Sequence, residues 1–136
     1  MKRHRPHDVA IAFAANPRGD GVAYVTIEGE EAPLRIGFRI ERFPALRGRE
    51  IGYGALTAAA DAVHARGLEN VRLRVGDEPI VEDLAERREL PAALTLPYVR
   101  LRCALNRFRR AEVVAGRIDE GLCARARAEV ELAIAA

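Results

Sequence analysis

The first third of the chain contains three short segments with the residue patterns of β-strands. From Asp8 to Ala15, large apolar side chains alternate with alanines, which predicts a strand buried on both faces. After a turn at 16–21, the β-branched and aromatic residues of Val22–Glu28 predict a second strand. From Leu34 to Glu41, apolar residues alternate with glycine and charged residues, which predicts a third strand. The short link at 29–31 is typical of a hairpin.

Helical periodicity begins in the second third of the chain. The segment Ile51–Arg66 carries an apolar stripe and ends before Gly67, which predicts a first helix. Alternation returns at Val71–Val75 and predicts a fourth strand. The remaining predicted elements are a helix capped by Asp77, a helix beginning at Pro97, a short strand at Glu112–Ala115 and a final helix at Leu122–Ala136.

The order of these elements is β-β-β-α-β-α-α-β-α. Three consecutive strands predict an antiparallel group, and strands separated by helices require crossover connections. We therefore predict an α/β fold with a five-stranded mixed sheet, three antiparallel strands and then two parallel ones, flanked by helices. Residues 8–136 contain no repeat or linker and are predicted to form a single domain, preceded by a flexible basic arm at 1–7.

Composition and charge exclude several classes of protein. The length of 136 residues fits one domain, and a hydrophobic content of 49% excludes an intrinsically disordered chain. There are 22 basic and 20 acidic residues, so the net charge of +2 excludes a polycation but allows a local basic surface. No segment reaches the roughly 18 apolar residues of a membrane helix, so no membrane partner is expected.

Cys103 and Cys123 are the only cysteines, and they belong to no CxxC or Cys/His pattern. They therefore predict neither a disulfide framework nor a zinc site. Two reduced thiols favour a cytoplasmic location.

Four motifs follow one another in an order that matches a known family. Asn16-Pro17 precedes a glycine-containing turn after the first strand, and Ala55–Ala60 lies in an alanine-rich first helix. Gly76–Glu78 joins the fourth strand to the second helix, and Leu96–Phe108 is the strongest local match. Through these motifs, residues 8–134 resemble the ribonuclease H-like superfamily, and specifically its type 1 ribonuclease H branch.

The resemblance implies a site that cleaves the RNA strand of an RNA–DNA hybrid, where four carboxylates hold two divalent ions. Carried over to this sequence, the four carboxylate positions fall on Ala14, Gly52, Asp77 and Arg125. Alanine and glycine offer no ligand atoms, and an arginine repels a cation. Asp77 is therefore the remaining metal candidate, although the pattern favours a helix N-cap role that explains it without a metal.

Two other glutamates lie close in sequence to the empty positions. Glu50 lies two residues from Gly52 and is expected to point off that face of the helix. Glu129 lies one turn beyond Arg125 and is a weaker candidate to substitute for the missing ligand. We therefore expect hydrolysis to have been lost and no cofactor to be needed; magnesium or manganese would be required only if the domain were active.

Arginines are concentrated late in the chain, and the family resemblance implies that this region faces a nucleic-acid backbone. The candidates are Arg100, Arg102, Arg107, Arg109, Arg110 and Arg117. The alternative is a solvated face with ion pairs to the acidic run at 78–89. Lys2, Arg3 and Arg5 could extend a basic surface from the N-terminal arm.

Three functions remain open from the sequence. The first is a degenerate ribonuclease H-like domain that retains weak binding to an RNA–DNA hybrid or duplex RNA. The second is a protein-interaction or dimerisation module, in which small residues of the former cleft permit close packing. The third is an active ribonuclease H.

Overall fold

In the computed structural model the elements follow the predicted order, and the structure describes residues 5–40, 48–86 and 89–135. The strands are β1 (His7–Ala15), β2 (Asp20–Ile27), β3 (Leu34–Arg39), β4 (Asn70–Val75) and β5 (Arg110–Ala115). The helices are α1 (Gly48–Ala65), α2 (Glu78–Leu84), α3 (Thr95–Asn106) and α4 (Glu120–Ala135), with a short 3-10 helix at Ala92–Leu94.

The five strands form one mixed sheet in the order β3-β2-β1-β4-β5. The β1–β2 and β2–β3 pairs are antiparallel, whereas the β1–β4 and β4–β5 pairs are parallel. The predicted fold class is therefore confirmed. Because β1 lies at the centre and β4 runs beside it in the same direction, the carboxyl ends of these two strands meet at one edge of the sheet.

Helices cover both faces of this sheet. On one face, α1, α2 and α3 enclose the main core, which includes Ile11, Val25, Leu56, Leu73 and Leu101. On the other face, α4 packs against β1 and β2 around a smaller apolar cluster. Among the described residues, no helix combines the length and apolar character needed to cross a bilayer.

Several boundaries differ from those predicted. The helix expected from Pro97 begins at Thr95, directly after the 3-10 turn, because proline is tolerated in the first turn of a helix. Strand β1 begins at His7, the last residue of the predicted arm. Lys2 and Arg3 lie outside the described residues. Cys103 and Cys123 are free thiols.

Candidate functional site

The candidate site lies where β1 and β4 end. The parallel register pairs Ala10 with Arg74, so two and three residues further on, Ala12 and Phe13 come level with Gly76 and Asp77. An open depression of about 650 Å³ lies there. Its lining is largely apolar and consists of Ile11, Ala12, Phe13, Gly76, Asp77, Pro79, Ile118 and Cys123.

Asp77 is the N-cap of α2. Its backbone is extended, and its Oδ1 accepts a hydrogen bond of 3.3 Å from the backbone N–H of Ile80. Pro79 occupies the first turn, where a missing N–H costs nothing. Burial raises the pKa of Asp77 above 3.8, against the opposing effects of the Ile80 hydrogen bond and the Arg49 charge. The N-cap role predicted for this residue is therefore present.

Gly52 lies directly beside Asp77, on the first turns of α1. A Cβ atom on Gly52 would lie 2.9 Å from Asp77 Oδ2 and only 2.2 Å from Cδ1 of Ile80. Ile80 is fully buried, so its terminal methyl group cannot move into solvent. The structure thus brings together two of the four predicted positions and fills the space between them with an α2 side chain.

Ala14 and Arg125 are not among the described residues that line this depression. Ala14 pairs with Val22 of β2, and its side chain packs against the smaller apolar cluster beneath α4. The side chain of its neighbour Phe13 packs against the main core on the other face. The Arg125 guanidinium lies over the Tyr24 ring, 4.9 Å from its centroid. The assignment of carboxylate positions to Ala14 and Arg125 stays a prediction.

The two glutamates near these positions are not among the described residues that line the depression at Asp77. Glu129 is held by an ion pair of 2.7 Å with Arg35 of strand β3. Glu50 is buried and lines a separate cleft between β3, α1 and α3.

The side chains that line the depression at Asp77 do not fit a pair of divalent ions. Among the described side chains that line the depression, Asp77 is the sole carboxylate. The described part of the chain contains no cluster of three or more potential metal ligands from His, Cys, Asp and Glu. Two hard cations need several anionic oxygens, which one desolvated carboxylate cannot supply.

Behind Asp77, a buried ionic network joins α1 to α2. The side chain of Asp83 is fully buried. It accepts a hydrogen bond of 2.8 Å from Arg49 Nη2 and one of 2.9 Å from the hydroxyl of Tyr53. Burial, reinforced by the hydrogen bond to Asp83, raises the pKa of Tyr53 well above its ordinary range. The alternative interpretation of the sequence makes Asp83 part of an acidic run that forms ion pairs with the late arginines, whereas its partner in the structure is Arg49. Its spacing of three residues after the core residue Ile80 is the signal that could have identified it.

The six candidate arginines do not share one environment. Arg102 is partly buried. Its Nε donates a hydrogen bond of 2.9 Å to the Tyr98 hydroxyl, and its guanidinium donates another to the Leu84 carbonyl. Arg107 forms an ion pair of 3.1 Å with Asp61 of α1. Arg100 is exposed beside the Glu50 cleft.

Arg109 and Arg110 lie at the opposite edge of the sheet from Asp77. With Arg5 and His7 they line a polar cavity of about 540 Å³ at the start of β1, β4 and β5. Within the described residues, the side chains of these three arginines form no ion pair, and the exposed Arg117 on the β5–α4 loop also forms none. Arg5, which belongs to the predicted N-terminal arm, therefore lines the same cavity as Arg109 and Arg110.

We expect Asp77→Asn to keep the cap while removing the buried charge. Because the native pKa of Asp77 is raised, the folded state binds more protons than the unfolded chain just above 3.8, and the parent loses stability as pH rises through that window. The variant should therefore match or exceed the parent at neutral pH, and the difference should shrink as pH falls to 3.8. Urea denaturation at both pH values measures this. An equal destabilisation at both would contradict it.

Comparison with solved structures finds type 1 ribonucleases H. RNase H1 of the archaeon Halobacterium salinarum is 17% identical, with a TM-score of 0.71 over 92% of this chain and 99% of that one. The N-terminal RNase H domain of Rv2228c from Mycobacterium tuberculosis is 18% identical, with a TM-score of 0.71 over 94% and 96%. LC11-RNase H1, isolated from compost by a metagenomic approach and solved with an RNA/DNA hybrid, is 16% identical, with a TM-score of 0.65 over 90% and 91%. No protein-family model and no curated protein matches the sequence. The chain has the ribonuclease H-like fold.

Proposed function

We propose that this domain does not hydrolyse nucleic acid and binds a nucleic-acid backbone weakly. The observation that carries the loss of hydrolysis is the close approach at Gly52. The space beside Asp77 that a ligand side chain from α1 would need is taken by Ile80. A ligand side chain at position 52 would require α2 to repack as well as the glycine to be replaced. The obstacle to metal binding therefore includes the packing of the core.

The binding half of the proposal rests on arginines without acidic partners and on a protein that shares the fold. LC11-RNase H1 was solved with an RNA/DNA hybrid. The guanidinium group of arginine can donate two hydrogen bonds to the oxygens of one phosphate. An arginine that is not paired with an acidic side chain is available for this interaction. Within the described residues, Arg5, Arg109 and Arg110 form no ion pair and lie at one edge of the sheet, although Glu69 lines the same cavity. An RNA–DNA hybrid or duplex RNA is the proposed ligand.

The double variant Arg109→Ala/Arg110→Ala should weaken binding and flatten its salt dependence. Removing one phosphate-binding side chain lowers the slope of log affinity against log salt by about 1, so the slope should fall by about 2. Fluorescence anisotropy with labelled hybrid, duplex RNA and single-stranded probes, titrated over a range of salt, measures both quantities.

A matched control is Arg35→Ala/Arg66→Ala. It makes the same change in net charge, but these arginines are ion-paired to Glu129 and Glu30. The control should keep most of the salt slope. If no probe binds the parent at low salt, or if both double variants lose binding equally, the proposed basic edge is wrong.

Protein interaction is the second candidate function. It is favoured by the apolar lining of the depression and by the exposure of Leu96, Val99 and Leu132, at 52%, 47% and 69%. A cytoplasmic homodimer or a complex with another protein would cover such surfaces. A solution mass of twice 14.9 kDa would support the dimer; a monomeric mass over the concentrations used for the anisotropy titrations would remove it.

A further inference from the structure

A second cleft lies on the other side of the first turns of α1. It is bounded by β3, α1 and α3, with a volume of about 280 Å³. Most of its wall is carbon, contributed by Phe38, Ile40, Tyr53, Ala58, Leu96 and Pro97. Its volume is at the lower end for small-molecule sites, which limits an occupant to a compact molecule.

Glu50 is the unusual feature of this cleft. It lines the wall, yet the residue is only 4% exposed, and within the described residues its Oε2 has no hydrogen-bond partner. A buried carboxylate oxygen that lacks a donor is costly, and such atoms are rare in folded proteins. Asp83, the comparable buried acid one helix away, receives two donors. The contrast marks Glu50 as a buried acceptor that the described residues leave without a donor.

The other charged side chains at the cleft lie at its rim. Asp61 is about half exposed and pairs with Arg107. Arg39, 70% exposed, forms an ion pair with Asp20. Arg100 is also exposed. Glu50 is therefore the charge that a molecule entering the cleft would meet at depth.

We propose that this cleft binds a small organic cation, namely a primary amine carried on a compact aromatic or branched aliphatic body. The ammonium group would donate a charge-assisted hydrogen bond to Glu50 Oε2, while the apolar body would contact Phe38, Ile40 and Leu96. An anionic ligand would place like charge beside Glu50, and a neutral alcohol would supply a donor without the charge attraction. This site is separate from the Asp77 depression and from the basic edge, so it stands or falls independently of the proposed function.

Titration of the whole protein with benzylamine, and separately with benzyl alcohol of the same shape, tests the proposal. NMR would follow the methyl groups of Ile40 and Ala58 in the cleft and of Leu132 as a distant reference. We expect saturable shifts at the cleft with benzylamine and at least tenfold weaker binding of benzyl alcohol. Glu50→Gln should weaken benzylamine binding at least tenfold, whereas the same change at the exposed Glu112 should leave it unaltered.

Ala93→Phe provides a second route, because Ala93 is exposed at the cleft and the larger ring would occupy it while Glu50 stays intact. It should abolish binding even if Glu50→Gln fails to fold. Equal binding of the amine and the alcohol, no saturable shift with benzylamine, or unchanged binding in Ala93→Phe would overturn the proposal. Cleft shifts produced by an arginine-containing peptide but not by benzylamine would also overturn it, because the occupant would then be a protein side chain.

Discussion

Asp83→Ala should lower the free energy of unfolding by about 3–5 kcal/mol, because it removes one partner of a buried ion pair. The carboxylate is fully buried and receives the Arg49 guanidinium and the Tyr53 hydroxyl. Its removal leaves a largely buried cation and a buried phenol without their acceptor. Since Arg49 and Tyr53 belong to α1 and Asp83 to α2, the variant should also loosen α2 against α1.

Chemical denaturation of the parent and variants measures the destabilisation. Tyr53→Phe, which removes one donor and leaves the ion pair intact, should cost about 1–3 kcal/mol. Glu112→Ala is the matched control, because its exposed ion pair with Arg72 should contribute less than about 1 kcal/mol. If Asp83→Ala costs no more than Glu112→Ala, the network does not hold α2 in place.

Gly52→Ala should destabilise the protein by about 1–3 kcal/mol through overpacking. Alanine at a helical position ordinarily gains about 1 kcal/mol over glycine, so the predicted sign is the reverse of the helix-propensity effect. The reason is the 2.2 Å approach of the new Cβ to Ile80 Cδ1 and its 2.9 Å approach to Asp77 Oδ2.

Ile80→Val removes the atom at the shortest distance and provides the control. Alone it should cost about 0.5–1.5 kcal/mol. In the Ile80→Val background, Gly52→Ala should cost clearly less than in the parent, and a double-mutant cycle isolates this coupling. A stabilising Gly52→Ala in the parent, or additive costs in the cycle, would show that the space beside Asp77 is not filled.

The fold was predictable because local signals agreed with one another. Alternation at 34–40 identified the third strand, and the Asp77–Pro79 sequence marked the start of α2. The spatial order of the strands was not predictable from these signals, since it depends on packing between distant segments. The same limit applies to Ala14, because the position level with Asp77 is set by the β1–β4 register rather than by any local motif.

The candidate site was less predictable because burial of a charge is a tertiary property. Asp83 and Glu50 have the sequence pattern of surface acids, and both are buried. Arg102 and Arg109 are close in sequence, yet one is bonded to the Leu84 carbonyl and the other lies beside the start of β5. The clustering of arginines along the chain therefore overstated the basic surface that forms in space.

The central claim is that this ribonuclease H-fold domain has lost hydrolysis, and a cleavage assay tests it most directly. Parent protein and Asp77→Asn would be incubated with a labelled RNA–DNA hybrid and magnesium or manganese, beside an active type 1 ribonuclease H. We predict no cleavage by the parent above that of Asp77→Asn. Metal-dependent turnover by the parent that Asp77→Asn abolishes would contradict the claim.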